Sequence, residues 1–190
     1  MKITTLKGFA LIASMLIIAS CNSPKQPGTS DGSYSKIFFT GMDNPDSLAK
    51  LSNSIWKNMS TVVETSAHSG KYCSKIDSVN QFSFLFESSF NLIEHKVPKQ
   101  VKVSAYCYGL QPESKARLVV SVKGDKYYKA YVADSLFVTP GEWHKIESTY
   151  NLPDKLDIYD VVKVYVMNNK TGELLVDDLR AEFIYPPAEK

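Results

Sequence analysis

Cys21 has the most definite chemical setting of any residue in this chain. Lys2 and Lys7 give a positive start, Phe9 to Ala19 is an apolar run of 11 residues broken only by Ser14, and Ile18-Ala19-Ser20 leads into the thiol. A run this short does not cross a bilayer core of about 30 Å, which needs roughly 20 apolar residues, so the segment reads as a secretory signal. The other reactive groups are scattered. His68, His95 and His144 sit in different turns and share no zinc-ligand spacing. There is no Gly-rich phosphate loop and no nucleophile elbow. No two carboxylates stand out as the acid and nucleophile of a glycosidase, which converge about 5–9.5 Å apart. The expectation is a protein without catalysis.

The elements that would position these groups follow from composition and pattern. Removing residues 1–20 takes away Lys2 and Lys7 and leaves 170 residues with 20 Lys+Arg against 20 Asp+Glu, a net charge of zero. A chain with no basic field has little to condense on phosphates, so nucleic acid is not an expected partner. Residues 21–33 are rich in Pro, Ser and Gly and form a flexible tether. Residues 34–187 then make one domain large enough for its own core. Short runs rich in Val, Tyr, Phe and Ile, bounded by turn residues, are the all-β signature. Strands are expected near 34–40, 60–64, 71–77, 82–87, 101–109, 116–123, 127–133, 143–150, 161–168 and 174–184. Val101/Val103/Ala105/Cys107 and Val162/Val164/Val166 alternate with polar or aromatic neighbours, as half-buried antiparallel strands do. One short helix is expected around Ser47 to Leu51. About ten strands at this spacing read as a sandwich or jelly roll.

Two resemblances sharpen this reading. The small Ala19 and Ser20 after a branched aliphatic resemble the lipobox of bacterial lipoproteins, which implies diacylation of Cys21, cleavage before it and a lipid tether. The segments Ala67-His68-Ser69-Gly70-Lys71-Tyr72, Pro140-Gly141-Glu142-Trp143-His144-Lys145 and Leu175-Val176-Asp177-Asp178-Leu179, in that order, resemble the carbohydrate-binding modules of the galactose-binding-like superfamily. That likeness implies a jelly-roll β-sandwich. It also implies a structural calcium ion held by Asp43, the carbonyls of Ser69 and Lys71, and Asp177, although the family more usually has Glu at the position of Asp43. Calcium takes six to eight such oxygens. An envelope compartment would permit a disulfide between the remaining Cys73 and Cys107. The implied jelly-roll order speaks against it, because the last strand lies between theirs. That sets them roughly 9–10 Å apart, beyond the roughly 7 Å limit for a bridge.

The same order gathers strands 82–87, 161–168, 116–123 and 127–133 into one sheet. Eleven tyrosines stand against two tryptophans in this chain. Arg117, Tyr127, Tyr131 and Tyr165 are expected to line one outer surface of that sheet. Sugar C–H faces stack on aromatic rings while Arg and Lys hydrogen-bond hydroxyls, so this is the residue set of a glycan platform. Met167 stands where such proteins often show Trp. The leading expectation is a lipid-anchored envelope protein that binds glycan on one sheet face. The alternative is a structural or assembly lipoprotein that uses the fold to contact another envelope protein. The resemblance to bacterial lipoproteins implies, from Asn22 after the cysteine, sorting to the outer membrane, and from the lack of a following acidic cluster, its periplasmic face. Asp46-Ser47-Leu48, Asp77-Ser78-Val79 and Asp134-Ser135-Leu136 resemble the O-glycan acceptor motif of Bacteroidetes envelope proteins.

Overall fold

The computed structural model describes residues 32–44, 55–111, 114–123, 126–133, 141–168 and 172–187. Eleven strands are described: β1 Tyr34–Thr40, β2 Trp56–Lys57, β3 Val62–Glu64, β4 Tyr72–Ile76, β5 Leu85–Ser89, β6 Gln100–Gly109, β7 Ala116–Val122, β8 Tyr127–Ala133, β9 Trp143–Asn151, β10 Val161–Asn168 and β11 Leu174–Tyr185. They form two antiparallel sheets. One has the order β3-β4-β11-β6-β9, with β1 also pairing β11, and the other has the order β2-β5-β10-β7-β8. This is the expected jelly roll, with the last strand between β4 and β6. Cys21, the expected helix at Ser47 to Leu51 and the Asp46 and Asp134 motifs lie outside the described residues.

Alternation builds the core. Val101, Val103, Ala105 and Cys107 of β6 face Leu118, Val120 and Val122 of β7 and Val162, Val164 and Val166 of β10, all buried. Aromatic rings add to the core: Phe86 lies 4.7 Å from Phe38 and 5.4 Å from Phe183 between ring centroids. Two tyrosines latch the sheets together. The Tyr127 hydroxyl donates to the Asn151 carbonyl (2.9 Å) and the Tyr150 hydroxyl to that of Leu118 (3.2 Å).

Several local features depart from the pattern. The expected strand 82–87 divides, with Phe82 making an isolated bridge to Met167 and β5 beginning only at Leu85. Ser83 causes the break. Its hydroxyl oxygen accepts the Val166 N–H (3.0 Å), a role normally filled by a main-chain carbonyl. The Phe84 N–H turns to Ser74 Oγ (2.9 Å). A five-residue helix, α1, follows at Phe90–Glu94, capped by the Ser89 side chain and closed by His95 in the left-handed region. It is too short for helical periodicity to reveal.

Cys73 and Cys107 are buried free thiols. Cys107 and Ser74 both pair with Val176 and share its face, so Cys73, one residue on, faces the other way. Burial pushes the Cys73 thiol up to about 12 and raises that of Cys107 as well, which leaves both protonated.

Candidate functional site

The outer face of the five-stranded sheet is built on β10. Its valines at 162, 164 and 166 go to the core, so Lys163, Tyr165 and Met167 point out. Register extends this into rows across the sheet. One row runs Glu87, Lys163, Ser121, Tyr128; the next has Tyr165, Val119 and Ala130; the third has Phe82, Met167, Arg117 and Val132. Lys163 and Glu87 form an ion pair at 2.7 Å. Tyr165 is only 9% exposed and meets the edge of Phe82 at 5.6 Å. Burial raises its phenol above the ordinary value, with a hydrogen bond to the Ser121 side chain opposing, so Tyr165 stays a neutral hydroxyl. A cleft of about 490 Å³ opens among Glu87, Ser121, Tyr127, Tyr128, Lys163 and Tyr165. Phe82 and Tyr128, 45% and 51% exposed, stand to either side of Tyr165.

Arg117 and Tyr165 therefore share the expected outer face; Tyr131 does not, and Tyr127 borders the cleft from β8 without standing on that face. Tyr127 pairs with Val122 and Tyr131 with Leu118, which places both on the inward-facing side of β8. Tyr127 packs against the core, while Tyr131 stays partly exposed at the sheet edge. Residues 127–132 read Tyr-Tyr-Lys-Ala-Tyr-Val, with an aromatic at both parities and no polar stripe, so alternation alone could not orient the strand. Phe82 and Tyr128 replace the two as exposed rings. Tyr128 was one residue from the expected position; Phe82 was hidden by the Ser83 break.

The second expected set gathers where β11 bulges. Between Asp177, opposite Tyr106, and Arg180, opposite Ser104, β11 carries one extra residue, and Asp178 there adopts φ 50°. The bulge turns both aspartates to the loop before β4. Asp177 Oδ2 accepts the Ser69 N–H (2.9 Å) and Asp43 Oδ1 the Lys71 N–H (3.1 Å), which joins β1's exit, the loop and the last strand. Asp177 is fully buried. Burial first, and the neighbouring Asp178 charge, push its carboxyl up to about 6, against three main-chain hydrogen bonds that lower it. Two carboxylates supply part of what a hard cation takes, which for calcium is six to eight oxygens. The main-chain groups of Ser69 and Lys71 that reach them are N–H donors, however, and the Lys71 carbonyl accepts from the Thr65 N–H. Among the described residues, no three His, Cys, Asp or Glu side chains converge as a metal cluster.

A two-sheet jelly roll that presents exposed rings, paired charges and a cleft on one sheet is the build of a ligand-binding module. The chain belongs to the carbohydrate binding domain family, whose model matches residues 50–170. Solved structures agree on the fold. The CBM22-2 xylan-binding domain of Paenibacillus barcinonensis Xyn10C is 14% identical with a TM-score of 0.53, covering 77% of this chain and 98% of that one. The C-terminal family 22 carbohydrate binding module of Clostridium thermocellum Xyn10B is 12% identical with a TM-score of 0.52, covering 82% and 96%. The xylan-binding module CBM15 is 11% identical with a TM-score of 0.50, covering 82% and 100%. No curated protein matches the chain in sequence.

Proposed function

We propose that this protein is a lipid-anchored, non-catalytic envelope protein that binds glycan on the outer face of its five-stranded sheet. The observation that carries the reading is the placement of exposed Phe82 and Tyr128 around Tyr165, Arg117 and the Lys163–Glu87 pair, on a carbohydrate-binding domain. The rings offer stacking surface and the ion pair offers both donors and acceptors to hydroxyls. Because the neighbours in fold are named for xylan, xylan is the first polysaccharide to try. A glycan array should register binding, and Tyr128→Ala should weaken it at least tenfold, about 1.4 kcal/mol. Co-purification of an envelope protein with no glycan signal would overturn this reading in favour of an assembly role. Anchoring is tested separately: Cys21→Ser should leave the domain folded and release it from membranes or leave it unprocessed.

We also propose that Asp43 and Asp177, with the Ser69 and Lys71 carbonyls, hold a calcium ion. Its support is the buried Asp177 carboxylate and the Asp43 carboxylate, both bound to the loop before β4. Without metal, a folded value of about 6 against about 3.9 unfolded means that the folded state binds the proton more tightly. This group then costs nothing below about pH 4, and stability is lost as pH rises from about 4 to 6. In chelator, wild type should lose melting temperature relative to Asp177→Asn across that window. Millimolar calcium should restore it in wild type and leave the variant unmoved. Melting curves insensitive to calcium at every pH would count against the ion.

A further inference from the structure

The outer face of the six-stranded sheet, opposite the face just described, carries its own ligand chemistry. Register again gives the rows. Phe39, Arg180, Ser104 and Glu147 lie in one line across β1, β11, β6 and β9, and Tyr106 and Lys145 lie in the line beside it. A rigid aromatic corner closes this area. The His68 ring lies flat on Tyr106, with centroids 3.5 Å apart and planes 16° from parallel, and Trp143 stands edge-on to it at 5.7 Å. His68 is fixed in that pose from behind. Asp178 Oδ2 lies 2.6 Å from His68 Nδ1, and the Ser69 hydroxyl donates to the other Asp178 oxygen at 2.7 Å. Between this corner and Phe39 lies a cleft of about 330 Å³, lined among others by Ser104, Tyr106, Lys145, Asp178 and Arg180.

Two features decide what such a cleft takes. Phe39 is 57% exposed at the sheet edge, a large apolar surface left in water beside polar groups. Of the three cations that line the cleft, Lys145 is paired with Glu147 and Arg180 with Glu182, both at 2.8 Å, while Lys102 lies beside them near the Glu147 carboxylate. An anion would have to break these pairs or rely on Lys102 alone, the one lining cation without an ion pair among the described residues. A hydroxyl, which donates and accepts at once, can bridge a pair without separating it. An exposed ring beside compensated ion pairs matches the C–H faces and hydroxyls of a neutral sugar. The volume is at the lower end of the roughly 300–1,000 Å³ of small-ligand clefts, which limits occupancy to one or two rings.

We propose that this face is a second carbohydrate site, for one or two residues of a neutral glycan, so that the domain engages polysaccharide from both sheets. Two sites on opposite faces raise avidity for a many-chain polysaccharide without any new contact. The test is depletion of the full-length protein by insoluble xylan, β-glucan and galactan, with polygalacturonate as the acidic probe. Four forms are compared: wild type, Phe82→Ala/Tyr128→Ala, Phe39→Ala/Lys145→Ala and the variant that combines all four substitutions. All four side chains are substantially solvent-exposed, and thermal melting checks that each variant folds. Each double variant should keep binding to a neutral polysaccharide with apparent affinity about tenfold or more below wild type, and the combined variant should bind none. Phe39→Ala/Lys145→Ala binding like wild type would overturn the second site and leave the first intact. Loss of all binding in Phe82→Ala/Tyr128→Ala would do the same. Preference for polygalacturonate, or no polysaccharide binding by wild type, would also overturn it. Binding abolished by Phe39→Ala/Lys145→Ala and untouched by Phe82→Ala/Tyr128→Ala would uphold this site and remove the other.

Discussion

Phe86→Ala should destabilise the domain by about 3–5 kcal/mol, the range for truncating a fully buried aromatic. Phe86 is completely buried and touches three other rings: Phe38 of β1, Trp56 of β2 (5.6 Å) and Phe183 of β11. Those strands come from both sheets, so the cavity would open at the seam of the sandwich. Its lining consists of rings tied to paired strands, which limits how far the site can collapse. For a domain of about 150 residues, each kcal/mol moves the melting temperature by roughly 2–4 °C, so a drop of about 10–15 °C is expected in thermal denaturation. Leu92→Ala on the exposed side of α1 is the control and should move it by less than about 2 °C. Equal shifts for the two would mean that the inter-sheet rings do not carry the fold.

The fold was readable where one strand face is apolar and the other is not. Val162, Val164 and Val166 against Lys163 and Tyr165 declare both the strand and its outward residues, and β6 does the same. Outward orientation was readable to the same extent: Arg117 and Tyr165 lie on strands with a clear apolar face, and both point out from the five-stranded sheet. Tyr127 and Tyr131 lie on β8, where either parity offers an aromatic. A one-residue change of register exchanges the faces of such a strand. Its orientation is set by the ladder with β7, a long-range contact. Phe82 was obscured for another reason, since a serine hydroxyl replacing a carbonyl in the ladder leaves no mark in hydrophobic periodicity. The corner of His68, Tyr106 and Asp178 depends on a bulge at a non-glycine residue in the left-handed region, which sequence pattern does not announce. The segments that carry the family resemblance contain His68 and Asp178, but not the contact between them.

Gly70→Ala should cost about 2–3 kcal/mol, and the reason lies in the loop that joins the chain's beginning to its last strand. Gly70 has φ +61°, where a side chain costs roughly 1–2 kcal/mol. A Cβ there would also lie 1.5 Å from Asp43 Oδ1 and 2.2 Å from its Cγ, so the carboxylate must leave. With it goes the hydrogen bond from the Lys71 N–H, a charge-assisted contact that solvent partly replaces at this exposed position. A double-mutant cycle separates the two costs, because Asp43→Ala removes the obstacle before Gly70 is changed. In the Asp43→Ala background, Gly70→Ala should cost only the backbone term, about half of its cost in wild type. Chemical denaturation of the four proteins provides the measurement. Equal costs in both backgrounds would mean that Asp43 does not occupy the space over Gly70 in solution. The same set bears on calcium: if the ion sits between Asp43 and Asp177, the calcium-dependent rise in melting temperature should vanish in Asp43→Ala and in Gly70→Ala alike, since each removes the Asp43 carboxylate from the site.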